Sequence, residues 1–294
     1  VLLEESISFL VDNKSGSFLD CTFGRGGHSN SILNSISEKG KLTAFDKDPD
    51  AVQYANDSIN DPRFKIIHKS FNEIDSIFQE KSLDGILFDL GTCSTHFDDK
   101  SRGFSFRDDG PLDMRFNFNT GRPVSEWINK ASEKELIDIL YKYGQEKNAR
   151  SIAKAICSFR QESEIKTTSQ LVDIIVSVSS KKFSKIHPAT KSFQAFRIFI
   201  NNELEELEEA LEKSKKLIKI GGKIVVISFH SLEDSIVKNS FKTKIKAFPR
   251  EIPINPIVTK EFDCIARKIR PSNIEIDRNK RSRSAIMRVF KKLP

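Results

Sequence analysis

The chain reads as an α/β protein: a mostly parallel sheet with helices on both faces, interrupted once by a helical insertion. Three observations predict this. Five short apolar runs suited to buried parallel strands recur, at 17–23, 41–46, 64–70, 84–90 and 223–229. Segments of helical length separate the first three, which gives the β-α-β-α-β order of a parallel sheet. The spacing then fails, because about 130 residues part the fourth run from the fifth, far too many for one crossover.

Each element has a local reason. The first run ends in Asp20 and the glycine-rich stretch Gly24-Arg25-Gly26-Gly27, after which His28 to Glu38 has helical length. Asp48-Pro49 supplies an N-cap and a first-turn proline for a helix from Pro49 to Ile59. In the long gap, residues 132–144 open with a capping box, Ser132 to Glu135, and stop at Gly144. Lys147 to Arg160 and Thr168 to Ser180 carry apolar residues at helical spacing. Residues 202–219 place Leu204, Leu207, Leu211 and Ile218 on one stripe before Gly221-Gly222 ends the helix, which we read as the crossover into the fifth strand. The domain expectation is therefore a first part at 1–104, an inserted helical domain at 105–200, and a second part at 201–294.

Composition bounds the class. Hydrophobic residues at 38% and charged residues at 30% describe a globular protein with a sizeable core. No run of eighteen apolar residues and no signal peptide is present, so neither a membrane helix nor export is expected. The chain opens on Val1 rather than Met, which leads us to expect natural residues before it. Cys21, Cys93, Cys157 and Cys264 lie far apart with no CxxC, so we expect no disulfide framework, no metal site and a cytoplasmic location. The net charge of +7 is concentrated: residues 242–294 hold fifteen Lys/Arg against five Asp/Glu. That excess is either a solubilising tail or a phosphate-binding surface. Its densest part, RNKRSRSA (278–285), runs straight into the strand-like alternation AIMRVF, which favours an ordered segment.

The chemistry starts at DCTFGRGGHS (20–29). A glycine-rich turn after a strand brings backbone N–H groups close to a ligand, and Asp46 at the tip of the second strand is placed to accept from ribose hydroxyls. Together they indicate a nucleoside-containing cofactor. The GxGxxG of dinucleotide folds is missed, because Ser29 holds the third glycine's place. Asp20 stands four residues before Gly24, which resembles the D/E-x-x-x-G-x-G opening of class I methyltransferases. There the turn approaches the methionine part of S-adenosylmethionine and the acid after strand two binds the ribose. Asp89-Leu90-Gly91 ends the fourth strand, where such enzymes present the target atom; the alternative for Asp89 is a helix or loop cap.

Longer blocks resemble the bacterial small-subunit ribosomal RNA cytosine-N4 methyltransferases, the RsmH (MraW) family. They are VLLEE (1–5), TFGRGGHS (22–29), DKDPDA (46–51), DGILFDLG (84–91), RGFSFRDDGPLDMR (102–115), HPATKSFQAFRIFINNELEELE (187–208), GGKIVVISFHSLED (221–234) and NKRSRSAIMRV (279–289). The resemblance implies a class I sheet with an inserted helical domain, S-adenosylmethionine as cofactor, and 16S rRNA of the assembled small subunit as substrate, near the peptidyl-tRNA site of the decoding region. It implies no DNA and no membrane partner, and a homodimer stays open. Residue by residue, Gly26, Gly27 and His28 would contact the cofactor, Asp46 its ribose and Phe71 its adenine, with Asp89 at the junction with the target base. His96 stands where the family motif DLGVSSPQLD has a glutamine, with Thr92, Cys93 and Thr95 also changed; a histidine can still donate or accept a hydrogen bond there. Gly144-Gln145-Glu146-Lys147 departs from the family's GEER.

The expected reaction is an in-line displacement in which the cytosine N4 attacks the methyl carbon of the sulfonium. The leaving group is already good; the difficulty is the N4 lone pair, which is delocalised into the ring. An oxygen that accepts the amine's hydrogens would favour a reactive nitrogen and take the proton later. Asp89, or the carbonyls beside it, is the first candidate and Asp113 the second, with a structural salt bridge to Arg115 as the alternative for Asp113. His230 reads as a structural or substrate-positioning residue ahead of a catalytic base, before a capping box spanning Ser231 to Asp234. Phe104, Phe106 and Phe229 are either base-stacking or core residues. An NAD-dependent oxidoreductase leaves the fourth-strand block and the basic C-terminus unexplained. A DNA amino-methyltransferase should carry [DNS]-PP-[YFW] where this chain has DLGT. A non-catalytic RNA-binding relic would have lost the intact cofactor turn.

Overall fold

In an α/β sheet each strand contributes alternate side chains to opposite faces, so strands covered on both faces are apolar throughout. The computed structural model describes residues 1–179, 187–243 and 260–294, and there the five runs form strands, the third at the sheet edge with Lys65 and His68 exposed. Ser180, the expected end of one helix, and residues 244–259, part of the basic excess, lie outside the described residues. The chain divides into two compact units, Val1–Gly91 with Leu204–Pro294, and Thr92–Glu203.

The first unit runs α1 (Leu3–Leu10), β1 (Ser17–Asp20), α2 (Gly27–Ser35), β2 (Lys41–Asp46), α3 (Pro49–Ser58), β3 (Phe64–His68) and β4 (Leu83–Asp89). In the second unit follow α4 (Ser94–Asp98), α5 (Val124–Ile128), α6 (Glu133–Gly144), α7 (Ala149–Glu162), α8 (Thr168–Ser177) and α9 (Thr190–Asn201). The first unit resumes with α10 (Glu203–Leu217), β5 (Ile218–Ser228), α11 (Ser231–Ser240), β6 (Phe262–Ile269), α12 (Asn273–Arg278) and β7 (Ile286–Lys292).

The seven strands stand in the order β3-β2-β1-β4-β5-β7-β6. The first five are parallel, and β7 is antiparallel to both β5 and β6. This is the class I methyltransferase sheet. One face packs Leu19, Phe45, Ile86, Phe88, Ile224 and Val226 against Leu207 and Leu211 of α10. The other packs Phe18, Leu42, Leu87, Val225 and Ile227 against Leu10 of α1 and Ile32 of α2. Neighbours such as Phe18 and Leu19, or Leu87 and Phe88, thus serve opposite layers.

Two local expectations change. The helix before the fifth strand ends at Leu217, and β5 begins at Ile218, so Gly221 lies inside a strand with φ +82°. A Cβ on Gly222 would lie 2.9 Å from the Asp84 carbonyl oxygen, beside the register shift between Leu83 and Gly85. The glycine pair therefore admits a close strand approach and is not a helix stop. In α6 the capping box forms as read, with the Ser132 N–H donating to Glu135 at 2.8 Å and the Glu135 N–H to Ser132 Oγ at 3.2 Å. Its left-handed C-cap, however, is Gln145 at φ +49°, while a Cβ on Gly144 would meet the Lys191 carbonyl oxygen at 2.7 Å. Gly144 is small so that α6 and α9 can approach.

The sequence expectation draws the unit boundaries at 104/105 and 200/201. In the structure Arg102 Nη2 donates to the carbonyls of Arg115 and Phe116, at 3.2 and 2.7 Å, which ties the segment after β4 to the helical unit.

Candidate active site

In a parallel sheet all strands end at the same edge, and ligands gather there where the strand order reverses. Here β1 is that point, with β2 on one side and β4 on the other. Asp20 closes β1 fully buried. Its Oδ2 accepts from Ser29 Oγ at 2.7 Å and its Oδ1 from the Thr22 N–H at 3.1 Å, so it clamps the turn to α2; burial pushes its carboxyl up. Ser29, which breaks the dinucleotide pattern, is thus the residue that holds Asp20.

Gly26 caps α2 at φ +73°, where a Cβ would also approach the Phe23 ring to 2.9 Å. Gly27 is different: a Cβ there would meet nothing within 4 Å. The space in front of the turn is open at the first residue of α2, which is the cradle a ligand needs. Asp46 closes β2, its Oδ2 accepting from the Gly24 N–H and its Oδ1 from the Asp48 N–H, each at 2.8 Å. Sequence reading missed this brace. A carboxylate at this edge is an acceptor of the kind ribose hydroxyls need. Phe71 starts the turn after β3 and stands edge-on to Phe88, ring centroids 5.8 Å apart.

Asp89 ends β4. Its N–H donates to Thr22 Oγ1 at 2.7 Å, which fixes the strand end against the turn. Its side chain is 22% exposed, yet Oδ1 itself is buried and has no hydrogen-bond partner. Oδ2 lies 3.5 Å from His28 Nδ1. Burial pushes the Asp89 carboxyl up to about 7, and the Glu233 and Glu275 carboxylates add to it. His28 is also buried, which pushes its pKa down. Its Nε2 lies 3.1 Å from the Val1 carbonyl oxygen. A carbonyl only accepts, so that bond requires the proton on Nε2 and leaves the Nδ1 lone pair facing Asp89.

His230 caps α11: its Nδ1 accepts from the Glu233 N–H at 3.4 Å, and Glu233 accepts from the Phe229 and His230 N–H groups at 2.7 and 3.2 Å. The capping box is therefore His230 with Glu233, one residue earlier than the expected Ser231 to Asp234. Asp234 instead takes Arg288 in a two-pronged pair at 2.6 and 3.1 Å. Phe229 packs against the α1–α2 core layer.

Asp113 and His96 belong to the helical unit. Arg115 grips Asp113 through Nε to Oδ1 and Nη2 to Oδ2, both at 2.7 Å. Between them Met114 sits at φ +64°, held by Asn201, which donates to the Met114 carbonyl at 2.7 Å and accepts from the Phe116 N–H at 2.8 Å. The unusual GPLDMR block thus encodes a braced turn, and the geometry gives Asp113 the salt-bridge reading. His96 is buried; its Nδ1 accepts from the Cys93 N–H at 3.1 Å, and its ring stacks on Phe104 at 4.9 Å and lies 5.3 Å from Phe116. Phe104 is core, and Phe106 stacks on His187 at 4.7 Å. Among the described residues no group of three or more His, Cys, Asp or Glu is arranged to hold a metal ion, and no helix is long and apolar enough to cross a membrane.

The sequence profile of the MraW methylase family matches residues 1–293. A ribosomal RNA small subunit methyltransferase H of Marinomonas sp. is 44% identical over 301 residues, spanning 100% of this chain and 96% of its own length. One from Ruthia magnifica is 44% identical over 300 residues, spanning 99% of this chain and 97% of its own length.

Proposed function

We propose that this chain, which belongs to the MraW methylase family, transfers the methyl group of S-adenosylmethionine to the N4 of a cytosine in the decoding region of 16S rRNA, in the small ribosomal subunit in the cytoplasm. The observation that carries the reading is Asp89 Oδ1, a buried carboxylate oxygen without a partner at the switch point of the sheet. Unpaired buried oxygens are costly, and they persist where a ligand or a reaction supplies the partner.

The residues present fit the cofactor. Gly26 makes the left-handed turn, Gly27 leaves the front of α2 open, and Asp46 places a carboxylate at the tip of β2. Phe71 offers an aromatic edge beside β3, and His28 lies at the start of α2. When bound, S-adenosylmethionine supplies an activated methyl group on a positively charged sulfur. A cation placed there favours the ionised form of Asp89, against the burial that raises its pKa. Ionised Asp89 would accept an N4 hydrogen at Oδ1, keep the nitrogen lone pair available for the methyl group that the cofactor would supply, and hold the proton that the amine loses. His28 Nδ1, which carries a lone pair, faces Oδ2 and accepts a hydrogen bond from the carboxyl only while Asp89 is protonated. Positioning supplies much of the remaining rate. His96 enters only as the replacement for the family glutamine, and Asp113 only as the second proton-acceptor candidate.

The test is transfer from labelled S-adenosylmethionine to small ribosomal subunits that lack the modification, followed by nuclease digestion and mass spectrometry, with Asp89→Ala as control. N4-methylcytidine that appears with the wild-type chain and not with the variant supports the proposal. Transfer to another nucleoside, or none despite cofactor binding, overturns the target.

A further inference from the structure

The basic C-terminal segment is built into the sheet domain, and it leaves the sheet at the same edge as the candidate site. A single row of paired residues crosses the sheet there: Asp89 on β4 pairs with Ile227 on β5, Ile227 with Met287 on β7, and Met287 with Ile269 on β6. Strands lie about 4.8 Å apart, so β7 and β6 leave this row roughly 10 and 15 Å from Asp89. Everything between Ile269 and Ile286 therefore sits on the carboxyl edge of the parallel strands.

That connection is ordered. Ser272 caps α12, its Oγ accepting from the Glu275 N–H at 3.2 Å. Glu275 Oε1 accepts from the Leu2 N–H at 2.8 Å, which pins α12 to the segment whose Val1 carbonyl meets His28. Asn279 Oδ1 accepts from the Arg281 N–H at 3.1 Å, and the fully buried Ser282 donates to the Asn279 carbonyl at 2.7 Å. Ser282 and Ala285 point inward, and the cations around them point out. Arg267, Lys268, Arg270, Arg278, Lys280 and Arg283 are all exposed. Among the described residues Lys268, Arg270, Arg278, Lys280 and Arg283 form no salt bridge. Arg288 on β7, in contrast, is consumed by Asp234.

We infer that this fixed cationic face docks the phosphate backbone of the RNA strand on either side of the target base, while Asp89 addresses the base itself. The inference deepens the proposed function and rests on it. Exposed cations without acidic partners on a rigid turn are suited to phosphate, because they neither break an ion pair nor order a loop when they bind. The absence of exposed aromatic rings from 267–283 argues for backbone contact and not for base stacking.

The test compares two triple variants of the full-length chain. One is Arg278→Gln with Lys280→Gln and Arg283→Gln. The other removes the same charge from the opposite edge of the sheet, as Lys14→Gln with Lys39→Gln and Lys41→Gln. Binding to a fluorescein-labelled single-stranded RNA carrying the decoding-region sequence is measured against salt, with cofactor affinity and melting temperature in parallel. Three lost phosphate contacts should lower the salt slope by about 2 and the affinity at least tenfold, with cofactor affinity unchanged. The opposite-edge variant should bind as wild type does. Equal losses in both variants would reduce the effect to net charge and overturn the inference, as would wild-type binding by the first variant. If the wild type modifies no cytosine while the first variant still loses RNA binding, the proposed function fails and the surface stands.

Discussion

Strand β4 carries an aspartate near each end, and the two live in opposite circumstances. Asp84 accepts from Asn13 Nδ2 at 3.1 Å, from the Ser17 N–H at 2.9 Å and from Lys219 Nζ at 2.6 Å. Burial works against its charge, yet those bonds together hold its carboxyl below the usual range. Five residues on, Asp89 has one oxygen without a partner, and burial lifts its carboxyl to about 7. Residue type and strand are shared; the satisfaction of the carboxylate and the charges around it differ. A saturated carboxylate holds strands together, and an unsaturated one at the ligand edge is left to do chemistry.

The sharpest way to break this contrast is to remove each charge in turn. Asp89→Asn should slow single-turnover methyl transfer about 10³-fold, within the range for loss of a general base, and leave the melting temperature unchanged or higher. Asp84→Asn should leave that rate unchanged and cost about 1 kcal/mol in urea unfolding, since it strips a half-buried charged acceptor from three donors. Rates that fall equally would dissolve the distinction between the two ends.

A smaller effect separates open space from strain. Gly27→Ala should fold as the wild type does, yet bind cofactor about tenfold more weakly by calorimetry, roughly 1.4 kcal/mol, because the added methyl occupies the cradle. Gly26→Ala should instead lower stability by about 1–2 kcal/mol, because it forces a Cβ into a left-handed position against Phe23.

The smallest expected signal is in stability against pH, and the two aspartates have opposite signs. Asp89 has a folded pKa raised above its ordinary 3.8, so the native state holds the extra proton. Its stabilising contribution is complete below about 4 and is lost as pH rises through about 7. Asp84 has a lowered folded pKa, so its contribution is present above about 4 and is lost as pH falls through the depressed value. Unfolding of Asp89→Asn should therefore lack the decline between pH 4 and 7, and Asp84→Asn should lack part of the acid-side decline.

The sheet was legible because buried parallel strands must be apolar on both faces, and a helix cap such as Asp48-Pro49 is a local signal. Strand β6 was not legible, because it carries the exposed Arg267 and Lys268 at a register irregularity and its pairing with β7 is non-local. The sequence singles out Gly26, Gly27, Asp46 and Asp89, and the structure places them together at the carboxyl edge of the parallel strands. Its braces were not: Thr22 meets Asp89 and Ser29 meets Asp20 only in the fold, and Glu275 reaches Leu2 only once the chain ends meet. Asp113 stands out in sequence because its block is unusual, and in the structure that block also builds the Met114 turn and the Asp113–Arg115 pair.

The most direct measurement is the pH profile of methyl transfer at cofactor concentrations well below saturation, for the wild type and Asp89→Asn. Under those conditions the profile reports ionisations of the cofactor-free site. The wild-type rate should rise with pH to a plateau through an apparent pKa of about 7, and the variant should be slow and flat over the same range. A wild-type profile without that limb, or the same limb retained in Asp89→Asn, would contradict the assignment of the unpartnered carboxylate as the proton acceptor.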